Sequence, residues 1–143
     1  MKKYRFGLIG CGKMGGSWLK VLTEQAADRW EVASICEIDP ARQAFARELA
    51  PGARIVTDEN EIYQDPSIDV VGLFTLADLR AAQIRRALAA NKHIIAEKPI
   101  ADTVAQEEKL LEEIEASDRI VAVNLFNRNG WYHHEAQAFI DRG

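Results

Sequence analysis

The chain has 143 residues, of which 48% are hydrophobic and 28% are charged, a composition typical of one globular domain. Lys and Arg number 18 and Asp and Glu number 22, so the formal charge is −4, and we expect no binding to nucleic acid, which favours basic surfaces. Apolar runs are too short to cross a membrane and two cysteines are too few for a disulfide framework, so we expect a reduced, cytoplasmic compartment.

Short apolar runs alternate with segments of helical periodicity along the whole chain. Strands are predicted at residues 4–9, 32–36, 54–56, 69–74, 93–96 and 120–126. Helices are predicted at residues 13–27, 40–49, 58–63, 77–88, 104–116 and 132–140. This alternation builds βαβ units, whose right-handed crossovers produce a parallel sheet. We therefore predict an α/β fold that occupies residues 1–143, with a doubly wound, six-stranded parallel sheet and helices on both faces.

Three residues are predicted to mark helix ends. Asp39 precedes Pro40 and is expected to cap the second helix. Thr103 stands three residues before Gln106, the spacing of a capping box, and begins the fifth helix. Asn91 follows the fourth helix and is expected to adopt the left-handed conformation that stops it.

The first predicted strand runs directly into GCGKMG at residues 10–15, which matches the pattern G-x-G-x-x-G between a strand and a helix. Gly10 would allow the tight turn, Gly12 would let a pyrophosphate approach the backbone, and Gly15 would let the helix pack against the strand. The alternative is a close strand–helix turn with no ligand. The turn residues that we expect to bind a dinucleotide are Gly10, Gly12, Lys13, Met14 and Gly15.

Glu37 ends the second predicted strand, about 20 residues after the glycine turn, where an acid can accept hydrogen bonds from both adenosine ribose hydroxyls. Its carboxylate would repel a 2′-phosphate, which favours NAD, but nearby Arg42 could bind that phosphate and leaves NADP open. Glu37 could instead be a solvated charge at a strand end. S-adenosylmethionine enzymes use a similar layout, so these residues alone do not decide the ligand.

A later segment, NKHIIAEKPIA at residues 91–101, resembles the GKHVxxEKPxA signature of the Gfo/Idh/MocA oxidoreductases. Further segments that resemble the family are FGLIGCGKMG at 6–15, VASICEIDP at 32–40, DPSIDVVGLF at 65–74 and VNLFNR at 123–128. The resemblance implies a Rossmann domain of an NAD- or NADP-dependent dehydrogenase that acts on sugars, cyclitols and related small molecules. It makes a methyltransferase that binds S-adenosylmethionine improbable.

The resemblance also implies roles for individual residues. Lys98 would be the catalytic residue, holding the substrate oxygen and assisting proton transfer. Glu97 would position that lysine or the nicotinamide ribose, and the bond from Lys98 to Pro99 is a candidate cis peptide. Asn127 and Arg128 would lie near the nicotinamide. Without the family, Lys98 would be an ordinary surface lysine, and Asn127 and Arg128 would belong to a polar loop.

The loop after the fourth strand departs from the family, which usually has Thr-Pro-Asn/Asp followed by a His. This chain keeps Thr75 but has Leu76 at the proline, Ala77 at the Asn or Asp, and Arg80 at the His. Thr75 and Leu76 are still expected to contact the cofactor. For Arg80, two interpretations stay open: a contact with phosphate or substrate, or an exposed helix charge.

Family members also carry a second α/β domain, which supplies the substrate pocket, a partner Asp and His, and usually the dimer surface. Residues 1–143 contain none of it, so we expect dinucleotide binding with little turnover, and a homo-oligomer only with that domain present. A non-catalytic NAD sensor or scaffold is the alternative.

His133 and His134 diverge by about 100° on a helix, so no metal site is expected. Cys11 is interpreted as a small buried residue.

Overall fold

A computed structural model describes residues 2–125 and 130–143. Its strands are β1 (Tyr4–Ile9), β2 (Trp30–Cys36), β3 (Arg54–Val56), β4 (Val70–Leu73), β5 (His93–Glu97) and β6 (Val121–Asn124). Its helices are α1 (Lys13–Lys20), α2 (Pro40–Leu49), α3 (Asn60–Tyr63), α4 (Ala77–Ala89), α5 (Val104–Glu115) and α6 (Trp131–Asp141). No helix within the described residues combines the length and apolar character needed to cross a bilayer.

The six strands form one parallel sheet in the order β3-β2-β1-β4-β5-β6, which confirms the predicted Rossmann fold. From β1 the chain first builds outward through β2 and β3, and then returns to add β4 on the other side of β1. The loops that leave β1 and β4 therefore diverge. This divergence opens a crevice at the carboxyl ends of the central strands, where such folds bind ligands.

Two apolar clusters cover the two faces of the sheet. One contains Phe6 and Leu8 of β1 with Leu19 of α1 and Ala46 of α2. The other contains buried residues of α3, α4 and α5, such as Ile84, packed on the opposite face. Because successive strand residues point to opposite faces, β4 is buried along its whole length and contributes to both clusters. The helices hold the central strands, and therefore the crevice, in place.

The predicted helix ends are present. The Asp39 side chain accepts a hydrogen bond from the backbone N–H of Ala41, at 2.8 Å, and Thr103 accepts from the backbone N–H of Gln106, at 3.3 Å. Asn91 has a φ of 60°, the left-handed conformation expected of it. The Lys98–Pro99 peptide bond is cis.

Several element boundaries differ from prediction. The first helix was expected to continue to residue 27, but α1 ends at Lys20 and one π-helical turn, Val21–Gln25, follows it. There the backbone N–H of Ala26 donates to the carbonyl of Val21, at 3.0 Å. Strand β2 begins at Trp30, two residues early, because Trp30 pairs with Tyr4 of β1 and its ring packs edge-on against Phe6. The sixth strand, expected to reach residue 126, ends at Asn124 within the described residues.

Candidate functional site

A cleft of about 690 Å³ opens at the carboxyl ends of β1, β2, β4 and β5. The predicted site residues that line it are Gly10, Gly12, Lys13, Met14, Glu37, Thr75, Leu76, Glu97 and Lys98. Gly15 lies behind the turn, against the backbone of Gly10. Asn127 and Arg128 lie outside the described residues. The tertiary structure thus brings together residues from four loops that are far apart in the sequence.

The three glycines of the turn serve different purposes. Gly10 has a φ of +88°, which residues with a side chain rarely adopt. A Cβ at Gly15 would lie 1.9 Å from the Gly10 carbonyl oxygen, so no side chain fits there. A Cβ at Gly12 would meet nothing nearer than Arg42 Nη1, at 3.6 Å, which is an ordinary contact. The fold therefore requires Gly10 and Gly15, whereas the open surface at Gly12 fits the close approach of a pyrophosphate.

Helix α1 presents its positive end to the same surface. Gly12 is its N-cap residue, no side chain caps the helix, and its first turn contains no acidic residue. The first N–H groups of a helix have no partner within it, and they carry a partial positive charge. Lys13 adds a formal positive charge beside them. These groups can bind the phosphates of a dinucleotide.

Glu37 is 5% exposed, so its interpretation as a solvated strand-end charge is wrong. Its Oε2 accepts a hydrogen bond from the backbone N–H of Cys11, at 2.7 Å. Its Oε1 accepts from the backbone N–H groups of Ile38 and Asp39, at 2.8 and 2.9 Å. The carboxylate thus ties the glycine turn to the end of β2. A carboxylate has about four acceptor positions, and the three backbone N–H groups use three of them. About one position remains for a hydrogen bond from a ribose hydroxyl. The sequence had suggested hydrogen bonds from both ribose hydroxyls.

Arg42 extends from α2 over the glycine turn. Its Nη1 lies near Gly12, and its Nε lies 3.7 Å from Asp39 Oδ2. The arginine therefore adds positive charge at the same open surface, between Gly12 and Glu37. Its position in the cleft beside Glu37 is consistent with the sequence expectation that Arg42 could bind a 2′-phosphate.

Glu97, the last residue of β5, and Lys98, which follows it, occupy the opposite end of the cleft. Lys98 is exposed and makes no hydrogen bond or ion pair with any residue in the described part of the chain. Glu97 is buried, and its carboxylate accepts a hydrogen bond from the side-chain amide of Asn124, its register partner on β6. The amine of Lys98 is thus available in the cleft, beside a carboxylate held by the neighbouring strand.

Arg80 is 3% exposed, so its interpretation as an exposed helix charge is wrong. Its Nη1 donates to the carbonyl of Pro99 and its Nη2 to the carbonyl of Thr75. Burial lowers the pKa of the guanidinium, and the negative charges of Glu97 and Asp78 oppose that shift. The helical period could have indicated this burial, since Arg80 stands four residues before the buried Ile84.

A polar network along the cleft wall was missed from the sequence. The Thr75 hydroxyl donates to Gln83 Oε1, and Gln83 Nε2 donates to Glu59 Oε2, at 2.5 Å. Arg86 donates to the other oxygen of Glu59. The network fixes the side chain of Thr75 inside the cleft. No local pattern indicates it, because its members come from three separate segments.

Both cysteines are buried and neither forms a disulfide. Burial, assisted by the charge of Glu37, raises the pKa of the Cys11 thiol, although a thiol at a helix N-terminus is often more acidic than usual. Burial and nearby carboxylates raise the pKa of Cys36 to about 11. Both thiols are therefore protonated at neutral pH, and Cys11 is the buried residue that the sequence suggested.

Known proteins with similar sequences include dehydrogenases, and a family model matches most of the chain. The model of the family described as "Oxidoreductase family, NAD-binding Rossmann fold" matches residues 4–125. Inositol 2-dehydrogenase/D-chiro-inositol 3-dehydrogenase of Lacticaseibacillus casei is 29% identical over 126 residues, which are 87% of this chain and 36% of that protein. Inositol 2-dehydrogenase of Acidothermus cellulolyticus is 31% identical over 120 residues, which are 82% of this chain and 34% of that protein.

Two solved structures with bound cofactor have the same fold. Myo-inositol dehydrogenase from Lactobacillus casei, in complex with NAD(H) and myo-inositol, superposes with a TM-score of 0.86 at 26% identity, over 99% of this chain and 42% of that one. A 3-ketoreductase from Actinomadura kijaniata, in complex with NADP, superposes with a TM-score of 0.84 at 26% identity, over 99% of this chain and 45% of that one. The chain therefore spans less than half the length of these relatives.

Proposed function

Because the chain belongs to the oxidoreductase family with an NAD-binding Rossmann fold, we propose that it is the cofactor-binding part of a dehydrogenase. The reaction would transfer a hydride between a nicotinamide cofactor and a small polyol, sugar or related hydroxy or carbonyl substrate. The names of its relatives, inositol dehydrogenases and a 3-ketoreductase, support this substrate class. NAD is the expected cofactor, and the NADP-bound relative and Arg42 keep NADP within the proposal.

One observation carries the proposal: a single cleft contains the glycine-rich turn, at the start of α1, at one end and the exposed Lys98 at the other. Glu37 follows β2 and Lys98 follows β5, which stand three strand positions apart in the sheet. At about 4.8 Å per strand, the two chain positions are separated by roughly 14–15 Å. An elongated ligand with one phosphate-bearing, ribose-containing end and one reactive end fits this arrangement.

The residues divide the proposed work between them. The glycine turn, the start of α1 and Glu37 would bind the pyrophosphate and the adenosine ribose. The bound cofactor would supply the hydride acceptor or donor. Lys98 would hold the substrate oxygen and take the hydroxyl proton during oxidation, and it would return that proton during reduction. Glu97, held by Asn124, would orient the lysine or a ribose hydroxyl.

The chain corresponds to 34–45% of the relatives' lengths. We propose that the substrate and the partner acid and base are held by a part of the protein that corresponds to the rest of those relatives. Residues 1–143 would then bind dinucleotide with little turnover.

The buried, reduced thiols of Cys11 and Cys36 fit the proposed cytoplasmic location.

The experiment has two parts. NADH and NADPH are titrated into the chain, and the fluorescence of the bound nicotinamide is followed; saturable binding of NADH, tighter than that of NADPH, is expected. The protein encoded by the natural open reading frame is then assayed for reduction of NAD with myo-inositol and related polyols. Its Lys98→Met variant is assayed in parallel. Turnover that disappears in the variant while NADH binding persists would support a dehydrogenase. NADH binding without turnover on any polyol, sugar or ketone would favour the non-catalytic sensor, and no binding would contradict both.

A further inference from the structure

Arg80 is a buried cation, and its hydrogen-bond partners among the described residues are two backbone carbonyls. It lies in the first turns of α4, and its two terminal nitrogens donate to Thr75 and Pro99. Within residues 2–125 and 130–143, no carboxylate forms an ion pair with it. The charges of Glu97 and Asp78 act on it through space, without an ion pair. Burying a charge that has no ion-pair partner costs free energy. Stability alone therefore does not explain an arginine at this position.

The two carbonyls belong to different loops at the reactive end of the cleft. Strands β4 and β5 pair as far as Leu73 and Ala96, and beyond that pair their chains separate. Thr75 lies on the loop after β4, and Pro99 lies directly after Lys98 on the loop after β5. Arg80 donates hydrogen bonds to both loops, and so links them beyond the last residues at which β4 and β5 pair.

We propose that Arg80 is a positioning residue, which holds the backbone beside Lys98 at a defined distance from the Thr75 loop. The inference rests on the proposed function, because it concerns the nicotinamide end of the same cleft. A guanidinium suits this task, since its planar fork directs two N–H groups to two acceptors at once. A lysine ammonium is a single point and cannot reproduce that geometry. Glu37 accepts hydrogen bonds from Cys11, Ile38 and Asp39, and within the described residues Arg80 donates to none of these groups, so the adenosine end should depend on Arg80 less than the reactive end does.

The test compares Arg80→Lys, which keeps the charge and loses the fork, with wild-type protein. Arg85→Lys is the matched control: Arg85 lies on the same helix, but it pairs with Glu113, at 2.5 Å, on the side that faces α5. Hydrogen exchange is followed by mass spectrometry in peptides that cover residues 74–77 and 97–101. NADH and ADP are titrated into each protein, because ADP contains only the adenosine and pyrophosphate parts of the cofactor.

Arg80→Lys is expected to bind NADH about tenfold more weakly while ADP affinity stays within about twofold, as the loss of a charged hydrogen bond at one end predicts. Exchange should accelerate in both loop peptides, and Arg85→Lys should resemble wild type. A merely structural role would weaken NADH and ADP equally, and that result, or unchanged loop exchange, would overturn the inference. If Arg80→Lys does not fold, Arg80→His, the residue type usual in the family, is compared in the same way. A wild-type chain that binds ADP but not NADH would contradict the proposed function, and loop exchange would still decide the role of Arg80.

Discussion

Alanine at Gly12 should weaken cofactor binding, whereas alanine at Gly15 should weaken folding, because Gly12 leaves room for a ligand and Gly15 leaves room for the backbone of Gly10. At Gly15 the added Cβ would lie 1.9 Å from the carbonyl oxygen of Gly10, a backbone atom that cannot move independently of β1. At Gly12 the nearest atom would be the flexible end of Arg42, at 3.6 Å. The two substitutions are chemically identical and lie three residues apart, so each is the control for the other.

The geometry sets the expected magnitudes. Overpacking usually costs about 1–3 kcal/mol, and contact with backbone places Gly15→Ala at or above the upper end of that range. Gly12 has a negative φ of −72°, so alanine adds no backbone strain, and the free energy of unfolding should change by less than about 1 kcal/mol. A methyl group on the open surface of the turn would hold phosphate away from the helix N-terminus. We expect NADH to bind Gly12→Ala at least about tenfold more weakly, which corresponds to about 1.4 kcal/mol.

Urea denaturation followed by circular dichroism measures the first effect, and NADH titration followed by fluorescence measures the second. Gly12→Ala should unfold at nearly the wild-type midpoint and bind poorly. Gly15→Ala should unfold at clearly lower urea. Wild-type NADH affinity in Gly12→Ala would refute the reasoning, because the cofactor phosphates could not then lie against this turn.

Four further outcomes are expected. Glu37→Ala should weaken NADH more than NADPH in parallel titrations, since it removes both a ribose acceptor and a charge that repels the 2′-phosphate. Lys98→Met should bind NADH within about threefold of the wild-type affinity, because the lysine is proposed to act on the substrate and not on the cofactor. The same titration, followed by NADH fluorescence, measures it. Lys92→Met should lower the free energy of unfolding by about 2–3 kcal/mol in urea, because Lys92 Nζ donates to the carbonyls of Asp65 and Ile68, at 2.6 and 2.8 Å. The folded state raises the pKa of Cys36 from 9.0 to about 11, so the stability gained from its neutral thiol should be lost as pH rises through that interval, and Cys36→Ala should flatten the decline.

Local pattern was sufficient for the architecture. Each strand is a short apolar run and each helix has its own period, so the alternation of β and α could be predicted, and with it a parallel sheet. The glycine turn and Glu37 could also be predicted as one site, because the first βαβ unit brings its loops together over a short length of sequence. The segment around Lys98 was identified by family resemblance, and its arrival in the same cleft followed from the fold.

The tertiary structure alone decided what each of these residues contacts. The sequence does not distinguish Gly12 from Gly15, yet in the fold Gly15 faces the carbonyl oxygen of Gly10 and Gly12 faces open space. Arg80 could be an exposed charge or a ligand contact until the fold placed Pro99, 19 residues away, against its guanidinium. Glu97 likewise meets Asn124 only because β5 and β6 pair in register. Periodicity reports which side of an element is buried, whereas the partner across a loop depends on strand order and register, which arise only when the whole sheet has assembled.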